Sequence, residues 1–151
     1  MLTSNAVTFQ KTLQSIEQSK DPTALVDLFA EGATVDSPSR DGKLTGRESI
    51  RHFWQEYLDA FRNVRSAFTV DHTIGDTSVL QWVSEGVLTN GKPVRYRGVS
   101  IVTFKGYKVA SFTTYYDSAV FVTHAPDARS DPALAGAGVI PGPDTNNEGG
   151  D

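Results

Sequence analysis

At Phe61 the apolar period of this chain changes from that of a helix to that of a strand, and it does not change back. Upstream, Ala6, Phe9, Leu13 and Ile16 recur at helical spacing, which predicts an amphipathic helix from Thr3 or Ser4 to Lys20. Asp21-Pro22 supplies an N-cap and a proline at the first helical position, so a second short helix with Leu25, Leu28 and Phe29 on its buried side is expected before Glu31-Gly32. Ala33 to Ser37 alternates as a strand does and stops at Pro38, and Arg40-Asp41-Gly42 reads as a turn. Thr45-x-x-Glu48 is a capping box for a third helix, whose Ile50, Phe53, Trp54, Tyr57, Leu58 and Phe61 make one continuous apolar stripe. Downstream, period-two segments at 63–74, 78–89, 92–104 and 108–122 are separated by Gly75-Asp76, Asn90-Gly91 and Lys105-Gly106. Two helices, a strand, a third helix and four hairpin-linked strands make an α+β domain with helices on one face of an antiparallel sheet.

Charge divides the chain in two. Residues 124–151 hold five acids against one base, Arg129, which accounts for the whole net charge of −4 and leaves a neutral body. A neutral body offers no basic face for phosphates, so nucleic acid is not an expected partner. The segment 123–151 is rich in Pro, Gly, Ala and Asn and reads as an acidic, disordered tail following a domain at 1–122, with one apolar patch at Ala133–Ile140. No apolar run approaches the ~20 residues of a spanning helix. The first ten residues lack a basic stretch followed by an apolar one, so a cytoplasmic protein away from membranes is expected. There is no cysteine, and the histidines His52, His72 and His124 are scattered, so neither disulfides nor a metal site is expected.

Register assigns faces to the strands. If Asn90-Gly91 is a two-residue type I′ loop, Val83 lies opposite Gly98, Glu85 opposite Tyr96 and Gln81 opposite Ser100, all on one side. Leu80, Trp82, Ser84, Arg95, Arg97, Val99 and Ile101 then share the other side. Neither side is purely polar, which fits a sheet with helices on one face and a second copy of the chain on the other. Trp82, Arg97 and Val99 are the expected contacts of such a homodimer, with a cation–π contact from Arg97 to Trp82. For the last strand the loop length leaves two registers open. A two-residue loop turns Ser111, Thr113 and Tyr115 inward, and a three-residue loop turns Phe112, Thr114 and Tyr116 inward.

The element order, the run from Asp21-Pro22 through Val35-Asp36-Ser37-Pro38, the stretch Leu44-Thr-Gly-Arg-Glu-Ser-Ile-Arg-His-Phe-Trp54, the strand Gly98–Phe104 and Tyr115-Tyr-Asp117 together resemble a known group. This is the SnoaL-like, ketosteroid isomerase-like branch of the nuclear transport factor 2-like superfamily. The resemblance covers about Phe9 to Phe121 and implies a cone-shaped curved sheet around a long helix, an apolar pocket inside the cone, and frequent dimerisation through the outer sheet face. It also favours the inward set Phe112, Thr114 and Tyr116. Members include isomerases, polyketide cyclases, epoxide hydrolases, dehydratases and proteins without chemistry, so the resemblance speaks for the fold more than for a reaction.

Carried over position by position, the catalytic groups of ketosteroid isomerases are replaced. The general-base aspartate falls on Ser37, the first-helix tyrosine on Leu13 and the protonated aspartate of the penultimate strand on Ser100. The epoxide hydrolase aspartate falls on Thr114, and the acid of SnoaL-type cyclases matches Asp117. Three acids remain as catalytic candidates. Glu85, mid-strand beside Tyr96, would be desolvated and suited to acid–base work, or else a structural carboxylate tied to Tyr96. Asp36 would turn inward only through a bulge before Pro38, and Asp117 at the strand end is a catalytic acid or a turn cap. Leu13, Ser37, Trp54, Leu58, Val83, Tyr96, Ser100, Phe112, Thr114 and Tyr116 are the expected ligand contacts, the alternative being a closed core. The expected partner is a small, largely apolar molecule. Any reaction would be a cofactor-free isomerisation, cyclisation or dehydration, and the other reading is a non-catalytic binding or dimerisation module.

Overall fold

The computed structural model describes residues 4–37 and 42–121. Helix α1 (Asn5–Ser19) begins where Ser4 accepts the Val7 N–H at 3.1 Å, and it ends at Lys20, which takes a left-handed φ of 65°. Its Ala6, Phe9, Leu13 and Ile16 are buried, as their spacing predicts. The Asp21 carboxylate then accepts the Thr23 N–H and hydroxyl, but the helix it opens, α2 (Thr23–Val26), is a single turn. Leu28 and Phe29 are not helical. Strand β1 (Phe29–Asp36) starts four residues before the alternation suggests, because fully buried Phe29 already pairs with Val109.

The capping box does not form. Thr45 belongs to the two-residue strand β2 (Leu44–Thr45), paired with Thr34, and α3 (Arg47–Asp59) is entered through Gly46 at φ 96° without a side-chain cap. Glu48 still lies in the first turn, where it complements the helix dipole. Ile50, Phe53, Trp54, Tyr57 and Leu58 are buried as one stripe, and Phe61 opens β3 (Phe61–Ile74). Strands β4 (Thr77–Leu88), β5 (Pro93–Lys105) and β6 (Lys108–Tyr116) follow, and a 3₁₀ turn at Ser118–Phe121 ends the described chain. One sheet results, in the order β2-β1-β6-β5-β4-β3. It is antiparallel except that β1 runs parallel to β6.

The inner sheet face packs on α1 and α3. Phe112 sits at the centre of an aromatic cluster, with ring centroids 5.7 Å from Phe9 and 5.3 Å from Trp54. Bulges in β3 at Phe61/Asn63 and Phe68/Val70 break the ladder at the sheet's edge, and bulges bend and twist a strand. Among the described residues no helix is long and apolar enough to cross a membrane. The acidic segment at 123–151 lies outside the described residues.

Two hairpins decide which side chains enter the cone. At Asn90-Gly91 the loop has three residues, Thr89 to Gly91, since the Leu88 N–H donates to the Lys92 carbonyl at 2.9 Å. Only Gly91 has positive φ, at 93°, and Asn90 instead accepts the Lys92 N–H through its side chain at 2.9 Å. This is the three-residue loop with a left-handed glycine, not the type I′ turn that needs positive φ twice. The extra residue shifts the register by one: Trp82 faces Gly98, Ser84 faces Tyr96 and Glu85 faces Arg95. Tyr96 and Ser100 point inward as expected, and the whole of β4 is reversed. Trp82 and Ser84 are buried inside, while Gln81, Val83 and Glu85 face out. At the last hairpin the turn has two residues, Gly106-Tyr107, yet Phe112 and Thr114 still turn inward. A register shift after Phe104↔Val109 leaves Ala110 as the extra residue and restores the face that a longer loop would have given.

Candidate functional site

Inside the cone is a small cavity of about 20 Å³. Leu13 of α1, Trp54 of α3, Trp82 of β4 and Phe112 of β6 form its apolar walls, and the hydroxyl-bearing residues Tyr57, Ser66, Ser84, Tyr96, Ser100 and Thr114 complete its lining. The indole of Trp82 reaches this position because Gly98, directly opposite, has no side chain. A Cβ there would lie 2.6 Å from the Trp82 ring. Trp82 Nε1 thereby donates to Ser100 Oγ at 2.9 Å, and Ser100 shares a 2.9 Å hydrogen bond with Thr114. Trp54, a residue of the cavity wall, has its Nε1 buried without a hydrogen-bond partner among the described residues.

A second polar network holds the acid of the site, Glu17. Its Oε1 accepts the Ser66 N–H at 2.9 Å, and its Oε2 accepts the Tyr57 hydroxyl at 2.5 Å and the Ser66 hydroxyl at 2.6 Å. Ser66 and Ser84 hydroxyls lie 2.6 Å apart, which extends the network across β3 and β4 towards Tyr96. Burial raises the Glu17 pKa above the ordinary carboxylate value, outweighing the hydrogen bonds from Ser66 and Tyr57 that favour the charged form. The Tyr57 and Tyr96 hydroxyls are pushed well above the usual phenol range, first by burial and then by their neighbours, so both stay protonated. Glu17 has no ion pair among the described residues. A carboxyl in this setting holds its proton better than a solvated one, and Tyr57 joins it to the cavity wall.

Of the residues singled out from sequence, Leu13, Trp54, Tyr96, Ser100, Phe112 and Thr114 meet on the cavity wall. Leu58 is buried beside them in the core, and Ser37 is buried just beyond β1. Tyr116 is half-buried, 5.9 Å from Tyr96. Val83 faces away, as the β4 register dictates. Glu85 is half-exposed on the outer face, 3.7 Å from Arg65, and lies opposite Arg95 rather than Tyr96. Asp36 pairs with Thr113 on the outer side of the sheet, since the alternation is unbroken from buried Ala33 through Val35 to Ser37 and the irregularity of β1 lies earlier, between Phe29 and Thr34. Asp117 is exposed and accepts the Ala119 N–H at 3.0 Å, capping the final 3₁₀ turn. Because Glu85 is solvated and its partner more so, Glu85→Gln is expected to move stability by no more than about 0.5 kcal/mol, measured as a urea midpoint.

Sequence reasoning passed over Glu17, Tyr57, Ser66 and Ser84. For Glu17 the signal was present: it lies four residues after Leu13, on the same helix face, so an acid there must enter the core. Tyr57 lies within the apolar stripe of α3, where spacing alone does not mark its hydroxyl. Ser84 came inward with the register of β4.

The model of the SnoaL-like domain matches residues 10–112. The chain belongs to the SnoaL-like family. Solved structures agree with this SnoaL-like fold. A protein of ketosteroid isomerase-like fold from Catenulispora acidiphila DSM 44928, in complex with trimethylamine, is 23% identical, with a TM-score of 0.66 over 76% of this chain and 88% of that one. A nuclear transport factor 2-like protein from Anabaena variabilis ATCC 29413 is 19% identical, with a TM-score of 0.69 over 78% and 96%. A putative isomerase from Bacillus subtilis is 16% identical, with a TM-score of 0.67 over 78% and 92%. Comparison with curated proteins finds no match. Among the described residues no group of three His, Asp or Glu side chains is placed to hold a metal ion.

Proposed function

We propose that this SnoaL-like chain binds a small, largely apolar, uncharged molecule in its cone and moves a proton on it, with Glu17 as the acid and Tyr57 as the relay, the Glu17 proton passing to the Tyr57 oxygen as the Tyr57 hydroxyl proton passes to the ligand. The observation that carries this reading is the buried Glu17 carboxyl tied to the hydroxyl of Tyr57, a residue of the cavity wall. Apolar walls with few placed polar groups suit such a ligand, and Trp54 Nε1 offers an unused donor for one acceptor atom on it. Among the described residues no Lys, Arg or His lines the cavity, so an anionic ligand would meet Glu17 without a counter-charge. The trimethylamine held by the Catenulispora protein and the putative isomerase from Bacillus subtilis support small-molecule work on this fold. The reactions that fit are cofactor-free isomerisation, cyclisation or dehydration.

The chain acts as a homodimer in this reading, with Trp82 absent from the interface. Val79, Ile101 and Tyr115, partly exposed on paired outer positions beside Val99 and Arg97, form the contact face. A second reading, a dimerisation module without chemistry, is favoured by the volume of the cavity, about 20 Å³ and so room for one water, and by the structural use of Glu17 to tie α1 to α3 and β3.

Native mass spectrometry of the purified chain tests the first reading, because it reports stoichiometry and retained small molecules together. A dimer carrying a discrete extra mass is expected, and the compound so identified should lose turnover at least ~100-fold in Glu17→Gln with binding retained. A bare monomer, or unchanged turnover in that variant, sinks the catalytic reading.

A further inference from the structure

A second concavity lies on the other side of Glu17. This groove, of about 740 Å³, runs between the C-terminal end of α1 and the neighbouring ends of β3, β4 and β5. Its apolar floor includes Val64, Val87 and Pro93, and its charged members are Lys20, Arg65, Arg95, Glu85 and the buried Glu17. The acids do not balance the bases. Glu85 is engaged with Arg65 at 3.7 Å, and both Glu17 oxygens are taken by Tyr57 and Ser66. Lys20 is pinned at the rim by the Phe61 carbonyl at 3.0 Å and by the Arg62 carbonyl, and Arg95 is exposed with no ion pair among the described residues. A fixed cation and an unpaired one over an apolar floor call for an occupant that is both acidic and apolar.

The chain carries such a segment. Residues 124–151 hold five acids and one base, and within them Ala133–Ile140 is the one apolar patch. The described chain ends beside the groove. Phe121 is buried against Tyr96, with ring centroids 4.8 Å apart, and Lys92 Nζ donates to the Val120 carbonyl at 3.3 Å. Lys92 immediately precedes Pro93 of the groove floor. The residues between Phe121 and Ala133 span at most about 40 Å when extended, so the apolar patch reaches the groove with chain to spare. Covalent attachment makes the encounter intramolecular, which lets contacts too weak for a separate peptide hold.

We propose that the acidic C-terminal segment of this same chain docks in the groove, its apolar patch on Val64, Val87 and Pro93 and its carboxylates on Lys20 and Arg95.

The absence of cysteine makes the test direct in the full chain. A nitroxide on Ala137→Cys should broaden the amide signals of Arg65, Glu85 and Arg95 at low salt to less than half their intensity. The hairpin tips at Ile74 and Tyr107, at the opposite end of the strands, should keep theirs. The broadening should disappear at about 1 M salt, where screening acts over ~3 Å, and in the double variant Asp127→Lys, Asp131→Lys, which leaves the described fold untouched. Arg95→Gln should reduce it at least twofold. Three results overturn the proposal: no local broadening at low salt; broadening centred on Val79, Ile101 and Tyr115; or broadening only when label and isotope sit on different copies, which would make a second molecule the occupant.

Discussion

Gly98→Ala is expected to destabilise the fold by about 3–5 kcal/mol, among the largest effects a single methyl group has. The new Cβ would stand 2.3 Å from the Tyr115 carbonyl oxygen and 2.6 and 2.9 Å from the Trp82 ring. The carbonyl belongs to β6, whose ladder with β5 runs through Gly98↔Tyr116 and Val99↔Tyr115, so it cannot retreat without opening the sheet. The indole has no easier course. Leaving Gly98 would strip Trp82 Nε1 of Ser100, and a buried donor left unpaired costs roughly 1–3 kcal/mol beyond the strain of overpacking. Gly32→Ala is the control, since nothing lies within 4 Å of its added Cβ and its φ is not positive. Urea midpoints of the two variants against the parent chain decide the matter. A Gly98→Ala midpoint close to that of Gly32→Ala would mean that the Trp82 ring does not lie over Gly98, and the polar corner Trp82–Ser100–Thr114 would fall with it.

Gly98 also shows what sequence could and could not say about this site. The helix faces of α1 and α3 were legible because their period is long and their apolar positions are many, so one misplaced residue does not move the stripe. Strand faces have no such redundancy, since one extra residue in a loop reverses a whole strand. Asn90-Gly91 has the dipeptide of a two-residue turn, but the Asn90 side chain takes the Lys92 N–H and leaves the positive φ to Gly91 alone. That choice carried Glu85 out and Trp82 in. The opposite accident occurred in β6, where the bulge at Ala110 restored an inward Phe112 that turn length alone would have lost. The parallel pairing of β1 with β6 and the early start of β1 at Phe29 depend on partners some 80 residues away, which no local pattern encodes. Glu17 is the converse case: its placement was written in the spacing from Leu13, but an acid on an apolar face is legible as a site only once Tyr57 and Ser66 are seen around it.

Glu17 is where stability and function make the same prediction. Its pKa in the folded chain lies above the unfolded value near 4.5, so the folded state binds more protons than the unfolded state just above that pH. The stability tied to the protonated carboxyl is therefore complete below about pH 4.5 and is lost as pH rises through the folded-state pKa, each unit of upward shift costing ~1.4 kcal/mol. Tyr57 of α3 and Tyr96 of β5 face this acid and stay neutral throughout, and no base among the described residues pairs with it, so the slope belongs to Glu17. Glu17→Gln keeps an acceptor for Tyr57 or the Ser66 N–H but cannot ionise. Near pH 4 it should match the parent within about 0.5 kcal/mol, and near pH 8 it should be the more stable of the two. Glu17→Ala instead strands the Tyr57 hydroxyl and the Ser66 N–H at every pH, and a loss of about 3 kcal/mol or more is expected across the range. Urea midpoints from pH 4 to pH 8 separate the three chains. Parallel curves for the parent and Glu17→Gln would mean that Glu17 ionises as freely as in the unfolded chain, and a carboxyl that holds its proton no better than a solvated one has no claim to be the acid of the cone. A divergence that opens with rising pH would instead measure the cost of carrying the charge inside, and that cost is what keeps the proton on Glu17 until a ligand able to take it is in place.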